Sequence, residues 1–112
     1  MKILKDLLCK ADDTLEEIWF YAKEATLLKE SHKEIADTYI DLAKTHIEIY
    51  GKLHDKMVAL IEKEKQKGVE IPKGMIDVWK YEHGELVEEF SKVKYLVEEY
   101  SKKYWHCTHK VV

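Results

Sequence analysis

The residues able to do chemistry in this chain are few, and histidine leads them. Six histidines are present, and three of them, His46, His54 and His83, fall on stretches whose apolar residues recur at helical spacing. Imidazole beside carboxylates can hold iron or zinc, but a metal needs three or four converging ligands. The candidate set is therefore His54 and His83 with Glu82 or Asp55, and His46 is a further candidate ligand. A competing reading makes His46 and His83 core residues, kept neutral and hydrogen-bonded to a tyrosine or a carbonyl, with burial lowering the pKa. No Glu-x-x-His pair supports a metal: Glu48 is followed by Ile49, Tyr50 and Gly51. The stretch Trp105-His106-Cys107-Thr108-His109 has the composition of a soft-metal binder. It supplies too few ligands, with nothing to orient them.

Nucleophilic catalysis finds no support. Cys9 and Cys107 each lack a neighbouring base oriented by a third group, and their positions form no CxxC or other metal or redox spacing, so two reduced thiols are expected. Ser31 and Ser91 suit a helix cap and a helix surface. There is no glycine-rich phosphate loop and no pair of carboxylates on a helix seam. The expectation is a protein that is not an enzyme and needs no cofactor.

Charge narrows the partners. The net charge is −3, from 22 acids and 19 bases, and every base is lysine. Bidentate reading of guanine edges and phosphates is largely an arginine property, and glutamates interleave the lysines, so nucleic acid is not expected as a partner. The start, Met1-Lys2-Ile3-Leu4-Lys5-Asp6, is charged too early for a signal peptide. No apolar run approaches the roughly 20 residues that span a bilayer. The expected location is the cytoplasm, away from membranes.

These residues must be positioned by helices. With 46% hydrophobic and 37% charged residues over 112 positions, the chain has the mixture of long helices with one dry and one wet face. Leu4, Leu8, Ala11, Leu15, Ile18, Ala22 and Ala25 alternate steps of four and three, the spacing of a coiled-coil seam. A capping box at Ser31-His32-Lys33-Glu34 then opens a second seam of Ala36, Tyr39, Ala43, His46, Tyr50, Leu53, Met57 and Leu60, widened by Leu42, Ile49 and Ile61. Past Gly68, Pro72 fits the first turn of a third helix. Its seam is Ile76, Trp79, His83, Leu86, Phe90, Val93, Val97, Tyr100 and Tyr104. Helices are thus expected over about 3–28, 32–67 and 73–104, in one domain of about 1–105 with a flexible tail at 106–112. Short connections make it an all-α, up-down-up bundle of three long antiparallel helices. Trp19, Phe20 and Tyr21 are consecutive, so at least one of them must face outward.

Several runs together resemble small ferritin-like proteins, distant relatives of rubrerythrin, encoded by prophages. They are Phe20-Tyr21-Ala22-Lys23, Ile35-Ala36-Asp37-Thr38-Tyr39 leading to Leu42-Ala43, Lys52-Leu53-His54, and the loop through Pro72 to Val78 with Tyr81-Glu82-His83. The resemblance spans about Leu15 to about Tyr100. It implies a helical bundle that completes itself by dimerising, hence a homo-oligomer. It also implies, as an alternative, an iron- or zinc-binding protein or oxidase with a degenerate site between helices. Registered on Ala43, the ferritin-type positions of glutamate and histidine are here His46 and Ile49, and Trp19 stands at the matching position of the first helix. The leading expectation is a non-enzymatic bundle of prophage origin that acts through oligomerisation or by binding another phage or host protein. Tyr100 and Tyr104 are expected to lie uncovered until a second copy buries them.

Overall fold

A computed structural model describes the backbone of residues 2–68 and 73–111, with the side chains of 75 and 101–111 outside that description. It contains three helices, α1 (Lys2–Leu28), α2 (Lys33–Gln66) and α3 (Lys73–Val111), and no strand among the described residues. α3 continues past Tyr104, where the third seam ends. Its expected start at Pro72, like the side chains of Tyr104 and of the Trp105–His109 stretch, lies outside the described part. The termination of α2 follows from Gly68, whose φ of 69° places it in the left-handed region that glycine enters without strain. Its N–H donates to the Lys65 carbonyl at 3.2 Å, closing the helix end.

The start of α2 corrects the sequence reading. Ser31 does not cap the helix: His32 occupies the cap position, with no side-chain cap hydrogen bond. The Ser31 hydroxyl pairs instead with His32 Nδ1 at 2.9 Å. The helix joins α1 through the backbone, His32 N–H donating to Leu28 at 2.8 Å and Ala36 N–H to His32 at 2.9 Å.

The helices form a rod of 61 × 22 × 18 Å. The turn end of the α1–α2 hairpin meets Tyr100 of α3, while the beginnings of α1 and α3 line one groove at the opposite end. α1 and α3 are therefore parallel and α2 runs between them in direction, as the up-down-up expectation has it. α1 packs most extensively on α2, less on α3, and α2 touches α3 least.

The first seam is buried as expected except for Leu8, which is half-buried, and Thr14 joins it, donating to the Lys10 carbonyl at 2.8 Å. On α2 the buried line is Ala36, Ile40, Ala43, Tyr50, Met57 and Ile61. Tyr39, His46, Leu53 and Leu60 are half-buried at its edge, and Leu42 and Ile49 are exposed. The apolar arc of α2 is so wide that two parallel seams fit it, and the one shared with both neighbours is the one that closes. On α3, Leu86, Val93, Val97 and Tyr100 are buried, with Trp79, His83 and Phe90 half-buried. Tyr100 is only 9% exposed, so the expectation that it waits uncovered for a second copy is overturned. The α1–α2 turn already covers it.

Candidate functional site

Two histidine sites and one apolar groove result from this packing. His54 and His83 come together across α2 and α3, their Nε2 atoms 2.8 Å apart. At that distance one ring donates and the other accepts, so at most one Nε2 proton fits between them. The rings belong to a ladder: Phe90 stacks on Tyr50 at 4.2 Å, Tyr50 lies 6.4 Å from His54, His54 meets His83 edge to edge with ring centroids 4.9 Å apart, and His83 stacks on Trp79 at 4.7 Å. The i, i+4 spacing of Tyr50 with His54 and of Trp79 with His83 places each pair on one helix face, which is why the ladder forms. Burial, with His54 adding to it, holds the His83 pKa below its ordinary value. Beneath it Tyr50 is nearly sealed from solvent, and burial pushes its phenol up to about 12. The Tyr50 hydroxyl has no hydrogen-bond partner among the described residues, an omission that costs on the order of 1–3 kcal/mol.

His46 does not join them. It lies eight residues before His54, about 12 Å along the helix, and faces α1. Its Nδ1 donates to the Leu42 carbonyl at 2.8 Å and its Nε2 lies 2.7 Å from Glu17 Oε2. The expectation of a fully buried core residue is corrected in its placement: His46 is half-buried and lies against the Glu17 carboxylate as well as the Leu42 carbonyl. Tyr21 packs on it at 5.1 Å and on Tyr39 at 6.1 Å. Glu17 was not among the candidate residues; the helical step from Thr14 to Tyr21 through Glu17 carries the signal, since those residues share the α2-facing side.

Of the carboxylates expected beside the His54–His83 pair, Asp55 Oδ1 is 3.7 Å from His54 Nδ1, beyond a hydrogen bond. Glu82 lines the groove at the beginnings of α1 and α3. Among the described residues no group of three or more His, Cys, Asp or Glu side chains converges. Two imidazole nitrogens on one tetrahedral zinc would sit about 3.3 Å apart, given Zn–N bonds of 2.0–2.1 Å. A metal here would have to replace the hydrogen bond and draw its remaining ligands from solvent.

The groove has a volume of about 850 Å³ and is walled by Leu4, Leu8, Val78 and Trp79, with exposed Cys9 and Asp12 at its rim. It lies between the beginnings of α1 and α3. No helix among the described residues is long and apolar enough to cross a membrane. The fold and these sites define an all-α three-helix bundle. No family model, curated protein or solved structure compared with the chain matches it.

Proposed function

We propose that the protein is a non-enzymatic helical bundle that works through its surfaces, by oligomerisation or by binding another protein, in the manner of the small ferritin-like proteins of prophages that it resembles. The observation that carries the reading is the exposed apolar stripe of α2. Ile35, Leu42 and Ile49 recur every seven residues and are 50%, 38% and 39% exposed. Phe20, 54% exposed, stands beside them on α1. A soluble helix keeps single apolar residues outside freely, but a heptad-spaced row is the pattern of a helix that packs on something. Light scattering at tens of micromolar protein, together with capture of cellular proteins on the native chain and on Leu42→Glu, tests it. The reading expects either a mass above 13.3 kDa or a captured protein that the variant loses. A 13.3-kDa particle whose captures are unchanged by Leu42→Glu overturns it.

A second reading, a metal-binding bundle that takes iron or zinc, is favoured by the approach of His54 to His83. It expects a chelator to lower the melting temperature of the native protein, one metal to restore it, and His83→Ala to abolish both effects. Saturation a hundredfold above the dissociation constant would add about 2.7 kcal/mol. A melting temperature indifferent to chelator and to added metal removes this reading.

A further inference from the structure

We infer that the outer face of α2 is a docking seam for a basic amphipathic helix of another protein, one whose apolar row is flanked by lysine or arginine. The inference rests on the surface-acting reading above and assigns the chemistry of its partner.

The exposed row is a complete seam. Thr38 and Thr45, both exposed, stand between Ile35, Leu42 and Ile49, so the five residues alternate steps of three and four, the spacing by which one helix meets another. Each threonine hydroxyl donates to the carbonyl four residues earlier, Thr38 to Glu34 at 3.0 Å and Thr45 to Asp41 at 3.1 Å. Those donors are spent within the helix. A partner need not supply acceptors for them, and the threonine methyls can be covered together with the aliphatic residues. The inward seam of Ala36, Ala43, Tyr50 and Met57 is already closed, so this second one is left for something outside the chain.

An acid precedes each aliphatic residue of the seam. Glu34, Asp41 and Glu48 stand immediately before Ile35, Leu42 and Ile49, and all three are exposed. They recur about every 10 Å along one edge, the edge away from Tyr39 and His46, which meet α1. Lys44, one turn from Asp41 and from Glu48, forms an ion pair with neither. The neighbouring stretch of α1 adds to the field. Residues 13–27 and 34–49 run side by side there and hold eight acids and two lysines, while the remainder of the chain has more lysines than acids. One of those two lysines, Lys23, lies over the Trp19 ring at 5.4 Å.

That concentration of charge chooses the occupant. A second copy related by a twofold axis would set one acidic strip against another, and an anionic lipid surface or a nucleic-acid backbone would be repelled. A helix with basic flanks gives the acids their counter-charge while its apolar row covers the seam, and flanking charges of opposite sign are what set partner and orientation in paired helices. The seam is about 21 Å long, so a partner helix of roughly 14 to 18 residues covers it. Phe20, 54% exposed, extends the apolar face onto α1. A contact of this length falls at the low end of specific interfaces, which sets the expected dissociation constant in the micromolar range.

The test titrates the full chain, kept reduced, with two synthetic helical peptides that share a leucine seam. One has lysine flanks and the other glutamate flanks. The lysine peptide should bind about tenfold or more tighter than the glutamate peptide, and should weaken about tenfold between low and high salt. Asp41→Lys with Glu48→Lys should reverse the preference, and Leu42→Gln should weaken both peptides. Glu88→Lys with Glu98→Lys on α3 changes the net charge equally and should leave the preference in place. Circular dichroism of each variant confirms that the helices remain. A preference that the α3 pair abolishes as fully as the α2 pair overturns the site. Equal binding of the two peptides, or binding of neither, overturns the basic partner. The surface-acting reading falls separately, on the light-scattering and capture outcome given above: a dimer that Leu42→Glu dissociates would sink the basic helix and leave that reading standing.

Discussion

Along the α1–α2 interface Ala11, Ala22, Ala25, Ala36 and Ala43 are all closed to solvent, and the inner face of α3 has no alanine at all. Small residues let two helices approach until backbone and side chain interlock. α3 instead reaches the hairpin with branched aliphatics and with rings, through the Phe90-Tyr50-His54-His83-Trp79 ladder and the Tyr100 contact. At Tyr100 polar groups do the fastening. Its hydroxyl donates to Asp37 Oδ1 at 2.8 Å, Lys33 holds the other Asp37 oxygen at 3.0 Å, and Lys29 donates to the Tyr100 carbonyl at 2.9 Å. The hairpin is thus joined by packing along its length, and α3 by discrete fixtures with an open groove at one end. Hydrogen bonds can be removed singly and titrated; close packing cannot.

The largest effect should come from the hairpin. Ile18→Ala, at a position with no solvent exposure, is expected to cost about 2–5 kcal/mol in urea unfolding, because neighbours on both sides prevent the cavity from collapsing. Leu96→Ala on α3, where the side chain is half-buried, should cost about half as much. Equal losses would erase the distinction between the two regions.

Next in size is the Tyr100 fastening. Tyr100→Phe keeps the ring and the Lys29 contact over its face at 4.6 Å but removes a hydrogen bond to a carboxylate, worth about 1–2 kcal/mol. Amide exchange should quicken in α3 around residue 97 while the α1 amides near Ile18 keep their protection. Uniform quickening would mean that α3 and the hairpin open as one unit.

The helices themselves were legible from spacing and from scarce glycine and proline, because three-four periodicity over 25 or more residues leaves no other structure. The approach of His54 to His83 was legible too, since counting outward from a short turn fixes which residues are level. What could not be read was rotation. Ala36, Ala43, Tyr50 and Met57 are buried as the seam has them, but Tyr39, His46, Leu53 and Leu60 fit beside them as well as Ile40 and Ile61 do, and only the neighbouring helices decide that Ile40 and Ile61 are covered. The same ambiguity hid Glu17 as the partner of His46, while the burial of Tyr100 depends on contacts from Lys29 and Asp37 at the α1–α2 turn, far from it in sequence.

Acid should act on the ring ladder. With its folded pKa lowered from an ordinary 6.5 by burial and by His54, His83 binds a proton more readily in the unfolded chain. Stability therefore rises with pH across this range, and the loss begins as pH falls through about 6.5 and is complete below the folded pKa. Asp37, held below its ordinary 3.8 by Lys33 and Tyr100, adds stability that is fully present above that value and is lost as pH falls from there through its lower folded value. His83→Phe should keep a ring in the ladder and flatten the melting temperature between pH 7 and 5. An unchanged slope would assign the acid sensitivity elsewhere.

Gly84 offers a gain of up to about 1 kcal/mol. It sits inside α3 next to His83, and a methyl group there would meet nothing within 4 Å. Gly84→Ala should raise the melting temperature, since alanine loses less backbone freedom on forming a helix. If the variant is no more stable than the native chain, something packs against that face in solution.

The smallest effect is expected at Ser31. A serine followed three residues later by Glu34 has the sequence of a capping box, and loss of such a cap ordinarily costs about 1 kcal/mol. Here the chain enters α2 one residue later. The backbone groups at the junction are met by Leu28 and His32 carbonyls, and the Ser31 hydroxyl spends itself on an exposed hydrogen bond to the His32 ring. That bond competes with water on both sides, so its removal exchanges one solvated partner for another. Ser31→Ala should therefore change the unfolding free energy by no more than about 0.5 kcal/mol, within the usual range of surface substitutions. A loss of 1 kcal/mol or more in urea unfolding would show that the hydroxyl does reach a helix N–H in solution and that α2 begins where the capping-box sequence places it.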